Sequence, residues 1–265
     1  MELSQQKILN KPLKELAQRL ATRASMLQQL LLKWQTYLVR FVDKRSIRED
    51  LKNVKSIIFD FDGTLHDTIK IYYPAFSEGV KILKDHGYAK DFELSEENVK
   101  RFLGEKPNFA YDLLAPDADE AFKIKVMTHV GQKMDENIKN KVGKLYNGTE
   151  EVLEKLSKTY DLYILSNCRE SYLDQALDIY GIKKYFKRYY AAEIFNFIPK
   201  DEIIRQERKN FEEEIIFVGD RHHDMAAAHK NNLRSIFCTY GFGPAEEGKD
   251  ATYKIDSIKE ILEIL

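Results

Sequence analysis

Two short stretches of the sequence each set a pair of carboxylates at the end of an apolar run. Asp60-Phe61-Asp62-Gly63-Thr64 closes the run that starts at Ser56, and Gly219-Asp220-Arg221-His222-His223-Asp224 follows Ile215 to Val218. A buried strand ending in an acidic turn delivers its side chains to the edge of a parallel sheet, where ligands collect. Residues two apart share one side of an extended chain, so Asp60 and Asp62 face one cleft, and Gly63 permits a sharp exit. Each cluster also has a plainer reading. Acidic turns after strands are common, and Asp224 is placed to cap a helix carrying Met225 to His229.

Gathering Asp60, Asp62, Asp220 and Asp224 in one place costs on the order of 4 kcal/mol per pair at about 4 Å in an effective dielectric near 20. A cation must offset that repulsion. A hard oxygen-ligand site that leaves room for water and a phosphate suits magnesium. Ser166-Asn167, directly after Leu162 to Leu165, adds a hydroxyl, and Lys200, just beyond Ile198-Pro199, adds a second positive charge. Taken singly, Ser166 reads as a turn residue and Lys200 as a surface charge.

The elements that must position these groups follow from hydrophobic pattern. Apolar bursts at Ser56 to Phe61, Leu162 to Leu165, Ile215 to Val218 and Ser235 to Cys238 alternate with helical spacing, which predicts a parallel sheet covered on both faces. The stretch from Ile69 to Tyr146 carries helical spacing and few strand signals, with loops expected at Gly104 to Asn108 and Ala115 to Asp119. It reads as a helical insert. Asn147-Gly148-Thr149 supplies the return, with Thr149 expected to cap the next helix. The expected organisation is an N-terminal helical extension over 1–52, a catalytic core over 53–68 and 147–265, and a helical cap over 69–146.

Acidic pair, hydroxyl, lysine and acidic pair, in that order, resemble the four motifs of the haloacid dehalogenase superfamily. The first reads DFDGTLHDT and the last VGDRHHD, and the tail CTYGFGPAEEGKDATYKIDSIKEIL is similar to that of the phosphoglycolate-phosphatase-like branch. The resemblance runs from about Lys55 to Leu265. It implies an α/β fold with a Rossmann-like parallel-sheet core, an inserted α-helical cap and, here, an extra N-terminal helical segment.

It further implies a magnesium-dependent phosphatase acting on a small-molecule phosphate monoester through an aspartyl-phosphate. Asp60 would be the nucleophile and Asp62 the acid and base. Asp60, the Asp62 backbone carbonyl and Asp220 would ligate magnesium, with Asp224 a ligand or close neighbour. Ser166, Asn167 and Lys200 would bind phosphate oxygens. The superfamily's dehalogenases lack the acid at the position of Asp62, which points to phosphoryl transfer. The third motif here is Pro199-Lys200-Asp201, where the branch often has Lys-Pro. The segment Arg101 to Pro107 is similar to the cap's specificity loop, making Arg101 and Lys106 candidates for a substrate anion, their alternative being solvated charges. His66 is a further candidate for approaching substrate, although a solvent-facing position is the preferred reading. His222 and His223 read as turn residues, because magnesium favours oxygen ligands. A sugar phosphomutase shares the same intermediate and stands as an alternative.

The chain has 265 residues, with 43% hydrophobic and 32% charged residues and a net charge of -1. That is enough apolar content for a core, and the overall charge argues against nucleic acid as a partner. The balance is uneven: the first 50 residues hold ten Lys/Arg against five Asp/Glu, or +5, leaving -6 for the rest. That segment has a seven-residue beat, Leu13, Leu20, Leu27, Trp34 and Phe41, with Leu16, Leu30 and Tyr37 in a second row. Asn10-Lys11-Pro12 would start the helix. The beat suggests a homodimer or docking to a partner, and a regulatory or scaffold role through this helix is a further alternative. Two cysteines, Cys168 and Cys238, without zinc-like spacing, no apolar run of membrane length and no secretory leader fit a cytoplasmic setting.

Overall fold

A computed structural model describes residues 22–23, 25–31 and 46–265, and the chain divides into a unit within residues 1–52 and a second unit spanning 53–263. In the first, residues 25–31 are helical, with Leu27, Leu30 and Leu31 exposed. The rest of the seven-residue beat, Leu13, Leu16, Leu20, Trp34, Tyr37 and Phe41, and the helix start at Asn10 lie outside the described residues.

The second unit is built on six parallel strands. They are β1 (Ser56–Phe59), β2 (Asp161–Ser166), β3 (Arg188–Ala191), β4 (Ile215–Gly219), β5 (Arg234–Cys238) and β6 (Tyr253–Ile255), in the order β3-β2-β1-β4-β5-β6. Central β1 pairs with β2 in the register Phe59 opposite Ile164, and with β4 in the register Phe59 opposite Val218. This register brings the ends of β1, β2 and β4 to one edge of the sheet. Side chains alternate faces along a strand, so Ile58, Tyr163, Leu165 and Phe217 pack with Ile203, Ile204, Ala227 and Ala228 of the covering helices. Those helices are α7 (Lys200–Glu207) and α8 (His222–Lys230); α5 (Thr149–Leu156) and α6 (Glu170–Ile179) precede β2 and β3. The four apolar bursts correspond to β1, β2, β4 and β5. Edge strands β3 and β6 have no such burst in the sequence, because each is partly exposed and carries Arg188 or Lys254 among its few residues.

Between β1 and α5 the chain forms α1 (Ile69–Asp85), α2 (Glu96–Lys100), α3 (Phe109–Leu114) and α4 (Glu120–Lys139). The long pair α1 and α4 close on their own apolar cluster, including Phe76, Val80, Leu83, Tyr111, Val126 and Val130. Gly79 of α1 makes the close crossing possible, since a methyl group there would meet the Val130 side chain of α4. Asp119 starts α4 by accepting the Phe122 N–H at 2.8 Å, and Ser95 starts α2 by accepting the Asn98 N–H at 3.2 Å. Thr149 does not cap α5 as expected. Gly148 takes the cap position in the left-handed region at φ 93°, and the Thr149 hydroxyl instead donates to the Leu65 carbonyl at 3.3 Å.

Candidate active site

Asp60 sits one residue beyond β1, held in line by its N–H bonded to the Val218 carbonyl at 2.8 Å. Asp220 sits one residue beyond β4, and Asp224 lies in the first turn of α8. One carboxylate oxygen from each of Asp60, Asp220 and Asp224 lies within 4.8 Å of the others, and all three side chains are buried. Lys200, the first residue of α7, donates to Asp60 Oδ1 at 2.8 Å and to Asp224 Oδ1 at 2.6 Å. The departure from the usual order in the third motif therefore does not move the ammonium away from the aspartates.

The turn residues are selected by this crowding. Gly63, at φ +88°, abuts Asp220, and a side chain there would run into the carboxylate. Asp220 Oδ1 accepts the Thr64 hydroxyl at 3.3 Å, while Oδ2 accepts the Phe242 N–H at 2.7 Å. Burial, reinforced by the Asp224 charge, pushes the Asp220 carboxyl up to about 7. Burial also raises the Asp60 carboxyl well above its usual range, with Asp224 and Asp220 adding to the rise against the opposing pull of Lys200. For Lys200, burial works against the ammonium, but Asp224 and Asp60 outweigh it and keep it charged. Three carboxylates facing one ammonium leave a site that favours a further cation.

Asp62 lies in a different environment. Its Oδ1 accepts the Thr68 hydroxyl at 2.5 Å and the Tyr172 hydroxyl at 2.7 Å, and Ser166 donates to Oδ2 at 3.4 Å. Burial alone would raise this carboxyl, yet His66, Thr68 and Tyr172 together hold it below the usual range. His66 is fully buried, neither facing solvent as preferred from the sequence nor lining the cavity. Its Nδ1 is 3.6 Å from Asp62 Oδ1, its Nε2 is 2.9 Å from the Tyr180 hydroxyl, and its ring stacks on Phe61 with centroids 5.2 Å apart.

A cavity of about 340 Å³ opens over Asp60, Asp62 and Ser166 and is walled by residues of the helical insert, among them Phe102, Leu103, Tyr111 and Met127. Lys106 lines it; Arg101 does not, and its guanidinium lies over the Phe102 ring at 5.0 Å. Asn167 also lines it, with its side-chain amide donating to the Gly104 carbonyl at 2.9 Å. The insert is tied down at two further points. Arg169 reaches Asp135 at 3.0 Å, and Arg221 bonds Glu105 at 2.8 Å and the Leu103 carbonyl. His222 and His223 open α8, with His223 Nε2 2.9 Å from Glu105 Oε2.

Thr68, Tyr172 and Arg221 are the site residues that sequence reasoning passed over. Thr68 lay within the quoted first motif. Tyr172 carries no local signal, because it lies 110 residues from Asp62 in a helix whose spacing reads as core.

A parallel sheet with an acidic cluster at its strand ends and a helical insert after the first strand defines an α/β protein with a candidate metal-binding site at the sheet edge. A sequence model described as haloacid dehalogenase-like hydrolase matches residues 57–238, and the chain belongs to this family. A phosphoglycolate phosphatase of Vibrio parahaemolyticus is 24% identical over 232 residues, covering 81% of this chain and 97% of its own. A crystal structure of a predicted phosphoglycolate phosphatase from Haemophilus somnus superposes with a TM-score of 0.67 at 23% identity, over 80% of this chain and 97% of that one. The β-phosphoglucomutase of Clostridium difficile shares the fold as well, with a TM-score of 0.62 at 20% identity, over 78% and 93% of the two chains.

Proposed function

We propose that the protein is a magnesium-dependent phosphatase that hydrolyses a small phosphate monoester through an aspartyl-phosphate on Asp60. One observation carries the reading: Lys200 bridges Asp60 and Asp224 within a buried three-carboxylate cluster that lies beside the cavity. The donor set suits a hard divalent ion, because it offers carboxylate oxygens and retains an excess of negative charge. Asp60, Asp220 and the Asp62 carbonyl would hold magnesium, with Asp224 beside them. The ion would supply positive charge to phosphate oxygens and to the crowded carboxylates.

This chain's own residues account for the rest. In the first half-reaction an Asp60 oxygen bonds to phosphorus as the bond to the leaving oxygen breaks, and Asp62 gives that oxygen its proton. In the second, Asp62 takes a proton from water, whose oxygen attacks phosphorus and frees Asp60 and inorganic phosphate. The hydroxyls of Thr68 and Tyr172 favour the ionised, proton-accepting form of Asp62. A phosphate dianion beside it opposes that ionisation, so Asp62 takes up its proton when substrate binds. Lys200 keeps Asp60 near the reacting phosphorus and offsets its charge, and Ser166 with the adjoining backbone of Asn167 faces the phosphate oxygens. A cavity of about 340 Å³ admits a small substrate, and Lys106 on its wall suits an anionic or polar tail.

The test is phosphate release from a panel of small phosphate esters with and without magnesium, beside Asp60→Asn. Equal activity in the variant overturns the mechanism. Interconversion of hexose phosphates without release of phosphate, given a bisphosphate primer, would instead identify a mutase.

A further inference from the structure

Glu105, His222 and His223 lie outside the aspartate cluster and have no part in the reaction above. Glu105 comes from the loop between α2 and α3, while the two histidines open α8. His223 Nε2 is 2.9 Å from Glu105 Oε2, the two imidazole centroids are 3.7 Å apart, and one ligand atom from each of the three residues lies within 4.8 Å of the others. The surroundings are also built. Glu247 accepts the His222 backbone N–H at 2.7 Å and lies 3.3 Å from its Nδ1, so a carboxylate orients that ring from behind. Arg221 joins Glu105 at 2.8 Å to Glu247 at 2.9 Å, and its charge cancels only one of the two carboxylates.

Two imidazoles and a carboxylate, with a second carboxylate supporting one imidazole, form the donor pattern of a borderline transition-metal ion. Bonds of about 2.0–2.2 Å around a tetrahedral ion put ligand atoms on the order of 3.4 Å apart, which small side-chain rotations reach from the positions seen. Magnesium would not compete, since it selects oxygen ligands and retains its waters.

We propose that Glu105, His222 and His223 form a second metal site, selective for an ion such as Zn2+, that fastens the 101–107 loop to the start of α8. That loop supplies cavity-lining residues Phe102 to Pro107. An ion shared between loop and helix would add to the Arg221–Glu105 bond that already joins the two. The site is separate from the aspartate cluster and lies at the loop that walls the cavity.

The experiment uses the full-length, untagged protein with the aspartate cluster saturated by magnesium. Zn2+ is titrated by calorimetry, and Co2+ by visible absorption as a spectroscopic probe. The expected result is one Zn2+ per chain taken up without loss of Mg2+, with Co2+ giving the strong visible bands of a low-coordinate, imidazole-bound ion. Glu105→Gln and His223→Ala should each weaken Zn2+ binding by more than about tenfold, the loss that removal of even a supporting partner produces. His222→Gln serves if His223→Ala fails to fold. Three results overturn the proposal: no Zn2+ bound by the wild type, one-for-one displacement of Mg2+, or unchanged Zn2+ affinity in Glu105→Gln and the folded histidine variant. Because binding is read without turnover, a failed phosphatase assay does not affect this outcome.

Discussion

Stripping divalent ions from the protein should reverse the usual dependence of stability on pH. Asp220 is fully buried in the cluster, and its carboxyl is pushed up to about 7 by burial and by Asp224. An unfolded chain restores an Asp to about 3.9. A carboxyl whose folded pKa lies above its unfolded one stabilises the fold while protonated, below about pH 4. That contribution is lost as pH rises toward 7, because between the two values the folded state binds the extra proton. A shift of about three units is worth up to about 4 kcal/mol, which for a domain of this size corresponds to roughly 10 °C in melting temperature. Asp60 is raised as well and acts with the same sign. His222, raised mainly by its hydrogen bond to Glu247, also loses stabilisation as pH rises. Magnesium does not touch that group, so its effect cancels between metal-loaded and metal-free samples. The assay is thermal unfolding from pH 5 to 8 in EDTA and in saturating Mg2+. The EDTA series should fall steadily with pH, and the gap between the two series should widen toward pH 8. Parallel curves, or metal-free stability that rises from pH 5 to 7, would refute the clustering of carboxylates as the source of metal demand.

Further tests address single side chains. Lys200→Met removes the ammonium bonded to Asp60 and Asp224, both buried; phosphate release should vanish, and chemical denaturation of the metal-free protein should show a loss of about 3–5 kcal/mol. Gly63→Ala places a methyl group against Asp220 at a φ of +88°, so it should cost at least about 1–3 kcal/mol in the same measurement and weaken Mg2+ binding in calorimetry. Tyr172→Phe deletes a donor 2.7 Å from Asp62, letting its lowered carboxyl move back up; the acid limb of the pH–rate profile should shift to higher pH, with about 1–3 kcal/mol lost in stability. Asp62→Asn should lower turnover of substrates with poor leaving groups by about 10²–10⁴-fold, and less for an activated aryl phosphate that needs no proton, as read by steady-state kinetics.

The sheet centre was legible because β1, β2, β4 and β5 are buried on both faces and so appear as unbroken apolar runs. Their acidic ends could be assigned to one edge once the strands were taken as parallel. Edge strands β3 and β6 pack on fewer sides, and Arg188, Lys254 and their partly exposed neighbours hide them from the same rule. Within the site, Asp60 and Asp220 stand beside their strands in the sequence as they do in space. Several partners of Asp62 and Arg221 do not. Tyr172 of α6 and Tyr180 just past its end reach the Asp62–His66 corner from more than a hundred residues on, and Glu105 meets Arg221 across 116 residues. Hydrophobic spacing records that α6 buries a face; it does not record that a hydroxyl on that face ends at a carboxylate. His66 escaped for the same reason: beside it in sequence stand Thr64, Asp67 and Thr68 with only Leu65 apolar, while Phe61, Tyr172 and Tyr180 close around it after folding.

Asp224 does not cap a helix starting at Met225 as expected, since α8 begins at His222 with Arg221 in the cap position; from the first turn its two carboxylate oxygens serve both the helix start and the acidic cluster. Oδ2 accepts the Arg221 N–H at 3.0 Å and fixes the first turn of α8, while Oδ1 accepts Lys200 at 2.6 Å. The cap bond orients the carboxylate, so the oxygen turned toward Lys200 is placed by backbone geometry and not by a free rotamer. Gly219 completes the arrangement, since any side chain at that position would collide with Asp224. Arg221, whose N–H makes the cap bond, directs its guanidinium outward to Glu105 and Glu247. One six-residue turn therefore fixes an acidic oxygen beside Lys200, starts the covering helix and anchors the loop that walls the cavity.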